Sequence, residues 1–173
     1  MGKISQVAPV KLVVGFIYKE ESFLRKAELT LQKYFGEIDF KSQELEFNLT
    51  DYYKEELGTN LKRGFISFKK LILPQALPKI KILTNRIEEK LSINKTRTIN
   101  IDPGYLNLAK FVLATTKDFA HRIYIDKGIY AEITLAYHGK SFESWEWTYP
   151  DFRTEAYIKI LNKIREIFSE QIK

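Results

Sequence analysis

Along the first hundred residues the hydrophobic period switches four times between two and about 3.6, and few folds accommodate that order. From Lys11 to Tyr18 the apolar residues run almost without a break and are rich in Val and Ile, as in a central strand. From Glu20 to Phe35, Leu24, Ala27, Leu31, Tyr34 and Phe35 recur at near-helical spacing. Glu20 and Glu21 suit the positive end of that helix, and Gly36 suits the position past its end. Ile38 to Phe47 alternates through Phe40, Leu45 and Phe47 as a strand. Asp51-Tyr52-Tyr53 and Gly58-Thr59-Asn60 mark a loop, and Leu61 to Leu73 supplies the next strand, with Phe65 and Phe68 directed to the core. Pro74 opens a helix that runs to Ser92 on Leu77, Ile80, Leu83, Ile87 and Leu91. Arg97 to Ile101 forms a short strand, which Asp102-Pro103-Gly104 ends as a rigid turn. The resulting order, β-α-β-β-α-β, predicts an α+β protein with a ferredoxin-like core over residues 10–101. Its sheet is antiparallel and both helices lie on one face.

Residues 102–173 read as an extension of that core. Tyr105 to Thr115 fits either a helix or a buried strand, and periodicity alone does not separate the two. His121–Ile125 and Ile129–Tyr137 flank Asp126-Lys127-Gly128 and read as a β-hairpin. Thr154 caps a final helix carrying Tyr157, Leu161, Ile164 and Phe168 on one stripe. No repeat or linker divides the chain, so residues 1–173 are read as a single domain.

Bulk properties narrow the chemistry. Cysteine is absent, which removes disulfides, thiolate nucleophiles and cysteine-ligated metals and suits a cytoplasmic setting. The apolar run at Leu12–Tyr18 is too short to span a bilayer, so no membrane partner is expected. Net charge is +6. Between Leu61 and Arg97 ten basic residues face two acidic ones, giving +8 there and −2 over the rest of the chain. Such a segment attracts phosphate-bearing partners, nucleic acid included, or else forms a solvated face.

The familiar nucleotide and hydrolase signatures fail. Gly139-Lys140-Ser141 imitates the end of a phosphate loop, but Thr134 stands where that loop needs glycine, and no helix pattern follows. A Gly-x-Ser-x-Gly elbow is absent, and only His121 and His138 offer an imidazole. What remains is the stretch from Arg97 to Asp151, where reactive side chains crowd together. Lys117 and Arg122 can hold a phosphate, with Thr116 and Asp118 beside them, and His121 can move a proton near neutral pH. Asp102 and Glu132 can accept protons or bind a hard cation such as Mg2+. Tyr105, Trp147, Tyr149 and Asp151 can close over a ring, although packing of the last helix would explain the same aromatics. Asp102, His121 and Glu132 are thus the catalytic candidates, and the others are ligand-binding candidates.

Four segments occur in order: Phe47-Asn48-Leu49-Thr50-Asp51-Tyr52-Tyr53, Asn100-Ile101-Asp102-Pro103-Gly104-Tyr105-Leu106, Leu113-Ala114-Thr115-Thr116-Lys117-Asp118 and Trp147-Thr148-Tyr149-Pro150-Asp151. They resemble a bacterial family of short proteins classed as a domain of unknown function, DUF4416, over nearly the whole chain. Some members carry the label GTP-binding protein, so the resemblance implies a nucleotide site of non-standard build. The expected function is binding of a phosphate-bearing small molecule, with GTP as one form of it. The alternatives are an RNA-binding module using residues 61–97 and a protein-interaction scaffold. The nearest approach to an RNA-binding aromatic motif, Arg63-Gly64-Phe65-Ile66-Ser67-Phe68, is broken by Ile66.

Overall fold

The computed structural model describes residues 2–48, 50 and 53–173. The Asp51-Tyr52 part of the expected loop, and Leu49 in the first quoted segment, lie outside the described residues. In chain order the elements are β1 (Lys11–Tyr18), α1 (Glu21–Phe35), β2 (Ile38–Lys41), β3 (Leu45–Phe47), α2 (Lys54–Leu57), β4 (Leu61–Phe68), α3 (Leu77–Leu91), β5 (Ile99–Leu106), β6 (Lys110–Thr115), β7 (Ile123–Asp126), β8 (Ile129–His138), β9 (Ser141–Ser144) and α4 (Glu155–Gln171). Short 3-10 turns at Pro74–Ala76 and Pro150–Arg153 precede α3 and α4.

The nine strands among the described residues form one sheet in the order β2-β4-β1-β5-β6-β8-β7. β3 pairs with β4 beside β2, and β9 pairs with β8 beside β7. Every pairing is antiparallel. The protein is therefore a mixed α+β fold built on a large antiparallel sheet. Strands from residues 102–173 continue the sheet of the first half rather than standing apart from it.

The two helices of the first half lie on one face of the sheet, as expected, and α4 of the extension covers the other. All eight residues of β1 are buried. Leu12, Val14, Phe16 and Tyr18 meet α1 and α3 through Leu24, Ala27, Leu31, Ile80 and Ile87. On the opposite face Val13 joins Phe65, Leu113 and Leu135 against Tyr157, Leu161, Ile164 and Phe168 of α4. A strand covered on both faces needs apolar residues at successive positions, which is why β1 reads as a near-continuous run. Each fully buried large side chain there contributes about 1.5–3 kcal/mol.

Three local expectations change. The strand expected over Ile38–Phe47 is divided into β2 and β3. Between them the Ser42 N–H donates to the Phe65 carbonyl, and the Ser42 hydroxyl accepts from the Phe65 N–H at 3.0 Å. Tyr105 to Thr115 is neither one helix nor one strand, because β5 ends at Leu106 and β6 begins at Lys110. Most consequentially, Asp102-Pro103-Gly104 is not a turn but lies inside β5. That strand pairs with β1 along its whole length but with β6 only from Gly104 to Leu106. Residues 99–103 thus have one open edge, a setting in which proline fits a strand without losing a ladder bond. The exposed backbone is satisfied by α3: Glu88 Oε1 accepts the Ile101 N–H at 2.5 Å, and Lys81 Nζ donates to the Ile101 carbonyl at 3.1 Å. Where β6 does close on β5, a Cβ on Gly104 would lie 2.4 Å from the Val112 carbonyl oxygen, so only glycine fits.

The hairpin and the final cap form as expected. Lys127 and Gly128 both take positive φ, 52° and 75°, and connect β7 to β8. The Thr154 side chain accepts from the Tyr157 N–H at the start of α4. No helix among the described residues is long and apolar enough to cross a membrane.

Candidate functional site

The outer edge of β8 is shared by two short strands. β7 takes residues 129–131 and β9 takes residues 135–138. The interval between them is filled by side chains. Trp147 Nε1 donates to the Ile133 carbonyl at 3.0 Å, and the Thr148 hydroxyl donates to the Thr134 carbonyl at 2.6 Å. His121 and Arg122 stand just before β7 rather than in it, and both turn onto buried Glu132. Arg122 Nε donates to Glu132 Oε2 at 2.8 Å, and His121 Nε2 lies 3.2 Å from the same oxygen. Arg122 also donates from Nη1 to the Lys117 carbonyl at 3.1 Å and from Nη2 to the Tyr149 hydroxyl at 2.6 Å. Every nitrogen of this guanidinium is therefore engaged within the chain.

Aromatic rings continue the cluster outward. The Trp147 ring stacks with Trp145 and with His121, with centroids 5.2 and 5.7 Å away and planes within 7° and 12° of parallel. Tyr149 is about half exposed, and its ring remains open on the rim.

His121, Arg122, Glu132, Trp147 and Tyr149 are therefore brought together, with Lys117 contributing its carbonyl. Thr116 and Asp118 sit exposed on the same loop. Tyr105 packs beside Leu77, Val112, Ala114 and Ile129, on the face covered by α3, and so is directed away from the cluster. Asp102 is on the α4 face but not in the cluster. Glu132 pairs with Leu113 and Leu113 with Gly104, so Asp102 is two strands and two residues away from Glu132, about 12 Å between Cα positions.

Asp102 belongs to a second group, most of which the sequence reading missed. Its Oδ2 accepts from Asn100 Nδ2 at 2.6 Å and lies 3.8 Å from Arg63 Nη1, while its Oδ1 lies 3.4 Å from Lys81 Nζ. Arg63 is 1% exposed. Its guanidinium carbon sits over the rings of Phe65, Phe152 and Tyr157 at 4.7, 5.2 and 5.5 Å. Gly15 makes this possible, because a Cβ there would lie 2.9 Å from Arg63 Nη2. Nε and Nη2 of Arg63 donate to nothing among the described residues.

Electrostatics join Asp151 and Tyr53 to this group. Burial pushes the Asp151 carboxyl above the ordinary aspartate range; Arg63 opposes the shift and Asp102 adds to it. Burial likewise raises the Tyr53 hydroxyl, with Asp102 and Tyr149 reinforcing and Arg63 and Arg97 opposing. The Tyr53 ring packs edge-on against Phe47. Glu88 is also pushed up by burial, against the pull of Lys81 and Arg97.

A signal for Arg63 was present in the sequence. Leu61, Arg63 and Phe65 alternate along one strand face, so an arginine occupies a position whose neighbours are core residues. Lys81, Thr84 and Glu88 of α3, spaced three and four apart beside the apolar stripe, are likewise all buried.

Two cavities are not lined by Asp102, Arg63, Arg122 or Glu132, although the second touches Phe65. One of about 290 Å³ is lined by Phe35, Ile72, Ile80 and Leu83, and one of about 100 Å³ by Phe16, Glu28, Glu44 and Gly64. The chemistry gathers instead at the β5–β6 opening and the β8 edge. Among the described residues no group of three or more His, Asp or Glu side chains is arranged to hold a metal ion. The basic segment does not form a free strip either. Lys62, Arg63, Lys69, Lys81 and Arg97, five of its ten cations, pair with Glu44, Asp102, Glu37, Asp102 and Glu56.

These features define the class: an α+β protein whose antiparallel sheet is covered on both faces by helices and carries buried charged side chains at one end of its α4 face. A family model for a domain of unknown function, DUF4416, matches residues 8–168, and the chain belongs to that family. No curated protein and no solved structure matches the chain.

Proposed function

We propose that the protein binds a phosphate-bearing small molecule on the α4 face of the sheet, at a site that is not a phosphate loop. One observation carries this reading: Arg63, almost wholly buried, has two guanidinium nitrogens without an acceptor among the described residues. A buried cation with unused donors is costly unless an anion completes it, and a guanidinium matches phosphate oxygens in pairs. Arg122 is fully engaged, so it supports the site rather than receiving the ligand, and Glu132 and His121 act with it. A half-exposed tyrosine such as Tyr149 would suit a ring attached to the phosphate, as in GTP. The strand order β2-β4-β1-β5 supports reading residues 10–101 as a ferredoxin-like core carried within the larger sheet. A chain without cysteine suits cytoplasmic work.

Thermal denaturation with inorganic phosphate, a sugar phosphate, ATP and GTP tests the reading. A ligand at one hundred times its dissociation constant adds about 2.7 kcal/mol to the stability of the wild type. The same ligand leaves Arg63→Met unmoved. No shift with any of the four, or equal shifts in both proteins, overturns the reading.

A further inference from the structure

We propose that the larger cavity, between the end of α1 and the start of α3, binds a free alkyl carboxylate of medium chain length. The proposal is independent of the anion reading at Arg63. The cavity floor is apolar and continuous with the core. Ile80 is 4% exposed, and Phe35, Ile72, Ala76 and Leu83 pack against the cluster that α1 and α3 bury on β1. The mouth is cationic. Lys70 and Lys79 line the cavity and are both exposed, and neither ammonium has an ion pair or a hydrogen bond among the described residues. Lys69, one position earlier, is instead paired with Glu37 at 3.2 Å. No carboxylate among the described residues lines the cavity.

This arrangement selects on two counts. The apolar floor favours an alkyl tail, because covering it removes hydrocarbon surface from water on both sides. The two uncompensated ammonium groups favour an anionic head and repel a cationic one. Lysine acts as a point charge and imposes no paired geometry, so a carboxylate suffices here, whereas the guanidinium of Arg63 matches phosphate oxygens. Size sets the chain length. The cavity measures about 290 Å³, close to the lower end of ligand pockets. At about 30 Å³ per heavy atom it holds roughly ten of them, a chain of about eight to ten carbons with its head at the lysines. A bilayer lipid, with two longer chains, does not fit. Lys70 and Lys79 are also two of the five cations of residues 61–97 that form no ion pair among the described residues, so the site gives part of that basic segment a use.

Chain length and charge are tested separately. Hexanoate, octanoate, decanoate and tetradecanoate, each below its micelle concentration, are titrated into the full chain by calorimetry. Affinity should rise about two- to fourfold per methylene, then level off beyond about ten carbons. With Lys70→Gln and Lys79→Gln combined, decanoate should bind at least fivefold more weakly and octan-1-ol as in the wild type. Both lysines are exposed, so that protein keeps its fold. Leu83→Trp, which fills the cavity, should weaken decanoate and octan-1-ol alike. No saturable binding at millimolar decanoate overturns the proposal. So does affinity that keeps climbing to tetradecanoate, the mark of an unbounded apolar surface. Decanoate binding undiminished by the paired lysine substitutions or by Leu83→Trp overturns it as well. Binding to anionic vesicles without binding to decanoate does the same, since the lysines would then face a membrane.

Discussion

Arg122 and Arg63 both lie nearly out of solvent beside a carboxylate, with side chains 5% and 1% exposed, yet their surroundings differ in kind. Arg122 donates from all three nitrogens, to Glu132, the Lys117 carbonyl and Tyr149, and so fastens the loop before β7 to β8 and to the segment before α4. Among the described residues Arg63 has one distant carboxylate, three aromatic rings and two nitrogens without an acceptor. An arginine with a full set of partners is a strut. One with an incomplete set, at the same depth, is the group on which the proposed anion site rests. Residue type and burial do not separate the two roles, whereas the count of acceptors does.

The contrast breaks most sharply at Glu132. Glu132→Ala leaves Arg122 buried and unpaired, and a loss of about 3–5 kcal/mol is expected by urea denaturation. A loss under about 1 kcal/mol would show that Arg122 is no strut. Gly15→Ala comes next. The new methyl group crowds Arg63 Nη2 and the Phe65 ring, for a loss of about 1–3 kcal/mol, and the response to phosphate should disappear with it. An unchanged phosphate response would detach Gly15 from the site.

Asp151→Asn gives a smaller, pH-dependent effect. The folded-state carboxyl is raised, so the protonated acid favours the fold. That contribution is complete below the ordinary aspartate value of 3.8 and is lost as pH rises through the folded value. The variant should therefore gain on the wild type as pH rises through that window, read as the difference in melting temperature. A constant difference across the window would refute the raised value. Arg63→Met should change stability least, by less than about 1 kcal/mol, because a poorly paired buried cation gives way to an apolar side chain of similar length. A loss as large as that of Glu132→Ala would make Arg63 a strut as well.

Much of the fold was legible in the sequence where a local cause was sufficient. The unbroken apolar run of β1, the Thr154 cap and the Lys127-Gly128 turn each follow from a few neighbouring residues. The candidate site was legible in part. His121, Arg122 and Glu132 converge, although Arg122 turns inward instead of towards a ligand, and Trp147 stacks with Trp145 and His121. Asp102-Pro103-Gly104 misled because proline and glycine signal a turn as readily as they signal a strand with an open edge and a close neighbour. The difference rests on where β6 begins to pair, and that is a long-range fact.

By itself the sequence determined the alternation of strands and helices, since periodicity and turn chemistry act over a few residues. It also excluded cysteine chemistry and a phosphate loop. Only the tertiary structure decided that α4 covers the second face and that Lys81 and Glu88 cross to the open edge of β5. The same holds for Arg63, which reaches over Gly15 towards Asp102 with two nitrogens that find no acceptor among the described residues. Those outcomes depend on strand register and on which side chain lacks a partner, and both are settled by residues far apart in the chain.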